Sequence, residues 1–93
     1  MAEIDVKTTE KENSYEFQVT IREGRGETRH LVTLKKSDYS RLVGGKSSPE
    51  TLVEESFRFL LEREPKESIL RSFDLLVIGR YFPEYPAEIA KRL

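Results

Sequence analysis

Tyr15, Phe17, Val19 and Ile21 alternate with Glu16, Gln18, Thr20 and Arg22. That is the period-2 pattern of a half-buried strand. Glu23-Gly24-Arg25-Gly26-Glu27 follows, and its glycines supply the positive φ that a hairpin loop needs. The returning strand is Thr28–Leu34, rich in β-branched residues. His30, Val32 and Leu34 share one face, and Arg29, Leu31 and Thr33 share the other. With apolar residues on both faces, this strand is either more buried than the first or paired along both edges.

The pattern then turns helical. Ser37 is placed to cap a short helix from Asp38, which Gly44-Gly45 ends. Ser48-Pro49-Glu50 is a stronger start: a cap, a proline at the first helical position, and an acid near the positive end of the dipole. This second helix is expected to reach Glu62–Glu64, before Pro65. At about 100° per residue, Leu52, Val53, Phe57, Phe59, Leu60 and Leu61 sweep an apolar arc of about 200°. One small sheet needs a narrower stripe, so the excess must meet the C-terminal segment or another subunit. A homodimer or an unknown protein partner is therefore expected. Pro65 opens a further helix with Ile69, Leu70 and Phe73 on one face, and Asp74 caps another turn over Leu75–Tyr81. Pro83 and Pro86 interrupt the path, and a last short helix is expected over Ala87–Leu93.

Residues 1–13 are polar, anchored only by Ile4 and Val6. They read as a loose arm, with a short edge strand near Ile4–Lys7 as an option. The expectation is one α+β domain over residues 14–93: an antiparallel hairpin, with a third strand optional, packed against C-terminal helices. A chain of 93 residues suits one domain with a small core. The apolar share is only 37%, and four Tyr and five Phe compensate because each ring buries a large area.

Composition removes several functions. The chain has no cysteine, which excludes disulfides and thiolate metal sites and fits a reducing compartment. The N-terminal stretch lacks a signal-peptide core, and no run approaches about 18 apolar residues. A soluble, cytoplasmic protein without membrane contact is expected. His30 is the only histidine, and a single ligand does not make a metal site. No nucleophile motif is present. The acids Glu54, Glu55 and Glu62 read as a solvated helix face with a Glu54–Arg58 pair. Neither a catalytic residue nor a cofactor is expected, and the chain reads as a non-enzyme.

The net charge is −1, but residues 22–46 hold seven bases and three acids. This basic stretch can attract nucleic acid or can be a solvated hairpin surface. Gly44-Gly45-Lys46-Ser47 is similar to the end of a phosphate-binding loop but lacks its first glycine. It reads as a helix stop and cap, although a lysine and two serines at a helix start can also meet a phosphate. The candidate nucleic-acid contacts are Arg29, Lys35, Lys36, Lys46, Ser47 and Ser48. Tyr81, Phe82 and Tyr85 cluster around Pro83. With Phe59 they are the candidate protein interface, or they close the core.

The stretch FRFLLEREPKESILRSFDLLVIGRYFPEY, with its segments FLLEREP, FDL and RYFPEY, resembles a family of small bacterial proteins of uncharacterised activity. That resemblance implies no substrate and no catalytic residue. Val32–Arg63, a strand, a short helix, a turn and a longer helix, is similar in outline to ribbon-helix-helix DNA-binding proteins. The latter resemblance implies a strand that pairs with its twin in a dimer and reads the major groove. Arg29, Leu31 and Thr33 would face DNA, and Lys46, Ser47 and Ser48 would lie near phosphate. The leading expectation is a non-enzymatic binding or regulatory protein. The alternative is a ribbon-helix-helix-like DNA-binding regulator of the antitoxin type.

Overall fold

The computed structural model describes residues 2–93. The fold is α+β. Its sheet contains β1 (Glu3–Glu10), β2 (Ser14–Glu23), β3 (Gly26–Lys35) and β4 (Ser72–Asp74), in the order β1-β2-β3-β4. The first three strands form antiparallel hairpins, and β4 joins β3 in parallel. Gly24 takes φ +62° in the two-residue turn between Glu23 and Gly26, the backbone conformation glycine adopts without steric cost.

The edge strand expected as an option near Ile4–Lys7 is present and longer than that, in place of a loose arm: Glu3–Glu10 forms a full strand, paired with β2 from Glu3↔Arg22 to Glu10↔Tyr15. Ile4 and Val6 suffice because they fall opposite Ile21 and Val19 and extend the apolar face of β2. β3 is paired along both edges, by β2 throughout and by β4 at Leu31–Thr33. Its faces still differ: His30, Val32 and Leu34 are buried, and Leu31 stays 37% exposed on the other face.

One side of the sheet carries all the helices. α1 spans Lys36–Val43 and α2 spans Pro49–Leu61. Ser37 does not cap α1; Lys35 holds that position without a side-chain bond, and Ser37 lies inside the first turn. The stop is as expected, with Gly44 left-handed at φ 60° and its N–H bonded to Ser40 O. Ser48 caps α2 by accepting the Thr51 N–H at 3.1 Å.

The helix expected after Pro65 does not form. A single 3-10 turn, Lys66–Ser68, leads instead into β4. The trio Ile69, Leu70 and Phe73 therefore splits: Ile69 is buried, Leu70 is exposed, and Phe73 is the β4 residue opposite Val32. Asp74 caps the next 3-10 turn through the Leu76 N–H. This turn continues into α3 (Ile78–Tyr81), and α4 (Tyr85–Arg92) ends the chain.

The core joins Phe17, Val19 and Ile21 of β2 and Val32 and Leu34 of β3 to Leu52, Val53, Phe57, Phe59 and Leu60 of α2. Leu75, Ile78, Tyr85 and Ile89 close it from the C-terminal side. Fully burying each such side chain contributes about 1.5–3 kcal/mol. The wide arc of α2 is thus covered within the chain, by the sheet on one flank and the C-terminal elements on the other. No second subunit is needed to explain it.

Candidate functional site

The two ends of the C-terminal segment meet at α2. Phe59 lies 5.8 Å from the Phe82 ring and 5.4 Å from the Tyr85 ring, both edge-on. The Arg63 guanidinium covers the Phe59 ring at 3.6 Å and bonds Glu84 at 3.4 Å. Arg92 reaches back to Glu62 at 2.7 Å and holds that carboxyl below its usual range. The residues of FLLEREP and RYFPEY therefore clamp α4 to the end of α2. Inside the clamp, Ser56 Oγ donates to Leu52 O and the Tyr85 hydroxyl donates to Ser56 Oγ, each at 2.7 Å. Burial pushes the Tyr85 phenol up to about 12, against the opposing effect of the Ser56 bond.

Beside the clamp lies an apolar cleft of about 320 Å³. Leu60 from α2, Ile69 and Leu70 before β4, Phe73 of β4, and Tyr81 and Phe82 at the end of α3 form its walls. Glu64 and Ser68 are its polar members. Leu70 is 47% and Tyr81 67% exposed at the rim. The four expected interface residues thus divide into two pairs. Tyr81 is open and Phe82 half-buried in the cleft, whereas Phe59 and Tyr85 are buried and present no surface. Sequence reasoning missed Leu70, because the helix expected there turned it towards the core.

The expected nucleic-acid contacts are not brought together. Arg29 lies on the open face of the sheet, Lys35 at the far end of the same strand, and Lys46–Ser48 before α2 on the helical side. Lys36 is held by Glu10 at 2.7 Å. On the open face, Lys7, Arg22, Arg29 and Arg71 surround a shallow depression. Glu27 engages both Arg22 and Arg29, at 3.0 and 3.3 Å, and Asp5 stands among the bases. With neighbours on both sides, β3 has no long free edge for a twin of the ribbon-helix-helix kind.

His30 is buried and hydrogen-bonded through both ring nitrogens. The Leu70 carbonyl can only accept, so Nδ1 carries the proton and donates to it at 2.7 Å; in the neutral ring Nε2 then accepts the Thr28 hydroxyl at 2.9 Å. Burial holds the imidazole below its ordinary value, Arg71 adds to this, and the Leu70 bond opposes it. Among the described residues no group of three or more His, Cys, Asp or Glu is placed to hold a metal ion. No helix among them is long and apolar enough to cross a membrane.

No protein-family model matches this chain, and no curated protein or solved structure matches it.

Proposed function

We propose that this protein is a non-enzymatic binding module that takes an apolar segment of a partner protein into the cleft between α2, β4 and α3. The observation that carries this reading is the set of apolar side chains that line one cleft, Ile69 and Phe73 inside it and Leu70 and Tyr81 exposed on its rim. A small-molecule site encloses its ligand. Rim residues this exposed add area instead to the approach of a protein chain, and tyrosine is favoured at such surfaces. Glu64 is the one carboxylate among the described residues lining the cleft, with no histidine beside it, so an acid–base pair is lacking. A cysteine-free chain suits the cytoplasm, where the partner is to be sought.

Panning a displayed random-peptide library against the protein tests this reading. Enriched peptides are expected to share an apolar anchor, to compete with one another, and to lose binding to Leu70→Ser and Tyr81→Ala. Peptides indifferent to both substitutions, or no enrichment, would overturn it.

The second reading is a DNA-binding regulator, favoured by the convergence of Lys7, Arg29 and Arg71 on the open face. It requires duplex binding that weakens by orders of magnitude between about 50 and 200 mM salt. The pairing of Glu27 with Arg29 and with the neighbouring Arg22 makes it the less supported of the two.

A further inference from the structure

β1 is the long free edge of the sheet: eight residues, paired with β2 on one side only. In an antiparallel ladder, successive residues point their backbone N–H and C=O alternately at the partner and away from it. The Lys11 N–H bond to Ser14 O sets the phase. Glu3, Asp5, Lys7 and Thr9, in step with Lys11, bond β2. Ile4, Val6, Thr8 and Glu10 direct their amides outwards. Carried across the sheet, the same phase turns the amide of Leu31 towards β4, and its N–H does donate to Arg71 O at 2.7 Å. No hydrogen bond from the other described residues meets the outward amides of Ile4, Val6 and Thr8.

A long unpaired edge is a template for another strand. The side chains of β1 define which strand fits. Its charged residues on the open face include Asp5 and Lys7, two positions apart and of opposite sign, and neither has a salt-bridge partner among the described residues. For pairing with a second copy about a dyad, centring on Val6 or on Lys7 keeps the longest overlap of Glu3–Glu10, and Asp5 is the neighbouring centre on the other side of Val6. A dyad at Asp5 sets Asp5 against Asp5, and a dyad at Lys7 sets Lys7 against Lys7. A dyad at Val6 sets Asp5 against Lys7 twice, Val6 against Val6, and Ile4 against Thr8. Opposite charges directly across a ladder stabilise and like charges destabilise. One register is thereby selected over its two neighbours. On the helical side, Ile4 and Val6 are only half-buried and would be covered by the same contact.

We propose that β1 is a dimerisation strand, pairing antiparallel with β1 of a second copy about a dyad at Val6 to give one continuous eight-stranded sheet. The amides of Ile4, Val6 and Thr8 are satisfied across the dyad, and the two Asp5–Lys7 contacts fix the register. This interface is independent of the cleft, which borders β4 at the opposite edge of the sheet. The dimer therefore carries one cleft towards each end and is divalent for a partner.

Light scattering after size exclusion, across a concentration series, reads the result. A mass of twice 10.9 kDa is expected for the protein. Lys7→Asp and Asp5→Lys each replace two attractions by two repulsions and should weaken dimerisation about tenfold or more. The double exchange Asp5→Lys with Lys7→Asp should restore it. Val6→Pro removes a central outward N–H, which an edge strand tolerates, and should leave a folded monomer by circular dichroism. A monomer at every concentration would overturn the proposal and make these charges guards of a solitary edge. A dimer indifferent to both single reversals would overturn it equally.

Discussion

Tyr81 and Tyr85 lie four residues apart in one segment, and the fold treats them oppositely: the first is 67% exposed and the second 1%. Tyr85 opens α4 and lands where α2 offers the Phe59 ring and the Ser56 hydroxyl. Tyr81 closes a four-residue helix and finds only the rim of the cleft. The clamp is a region where aromatic area is consumed in holding the chain together. The cleft is a neighbouring region where similar residues are left with surface to share. Stability and recognition are thus divided between residues a few positions apart, Tyr85 serving the first and Tyr81 the second.

The sharpest break is Phe59→Ala against Tyr81→Ala. The first empties a site that touches Phe82, Tyr85 and Arg63 and should cost about 3–5 kcal/mol. The second should stay within about 0.5 kcal/mol of the parent in urea unfolding while abolishing peptide binding. Equal losses of stability would dissolve the distinction. Arg63→Ala comes next. It uncovers the Phe59 ring and frees Glu84, and a loss of about 1–2 kcal/mol is expected from the same measurement.

Tyr85→Phe removes the one donor to Ser56 Oγ from the clamp and should cost about 1 kcal/mol at neutral pH. Its pH dependence sharpens the point. The buried phenol keeps its proton up to about 12 whereas the unfolded chain releases it near 10. This stability is fully present below the unfolded value and is lost as pH rises through the folded one. The phenylalanine variant should show a flatter alkaline decline in melting temperature.

His30 provides the smallest effect, on the acid side. Its folded value is lowered, so the unfolded chain binds more protons and stability falls as pH drops below about 6.5. Because it is the only histidine, His30→Leu should remove the fall in melting temperature between neutrality and the carboxylate range, whatever its effect at neutral pH. An unchanged slope would mean that the imidazole is not held neutral by its site.

The hairpin, the Ser48 cap, the Gly44 stop and the Asp74 cap were legible because each rests on local chemistry: alternation, a hydroxyl at a helix start, a left-handed glycine. β1 was legible only as an optional short strand near Ile4–Lys7, since a strand anchored by two apolar residues gains its stability from Ile21 and Val19 across the ladder, which no local window contains. β4 was not, because three residues in parallel register with Leu31–Thr33 depend wholly on tertiary pairing. The site followed the same rule. Its aromatic residues could be named in advance, but whether each faced α2 or solvent depended on where β4 turned the chain, and Leu70 was lost with that turn.

The most direct test of the central claim is fluorescence anisotropy of a labelled, library-selected peptide, titrated with the protein and with its Leu70→Ser variant. The account predicts binding that changes less than about twofold between about 50 and 200 mM salt and is lost in the variant. Binding that collapses with salt and survives Leu70→Ser would contradict it, and would move the functional surface to the open face around Arg29 and Arg71.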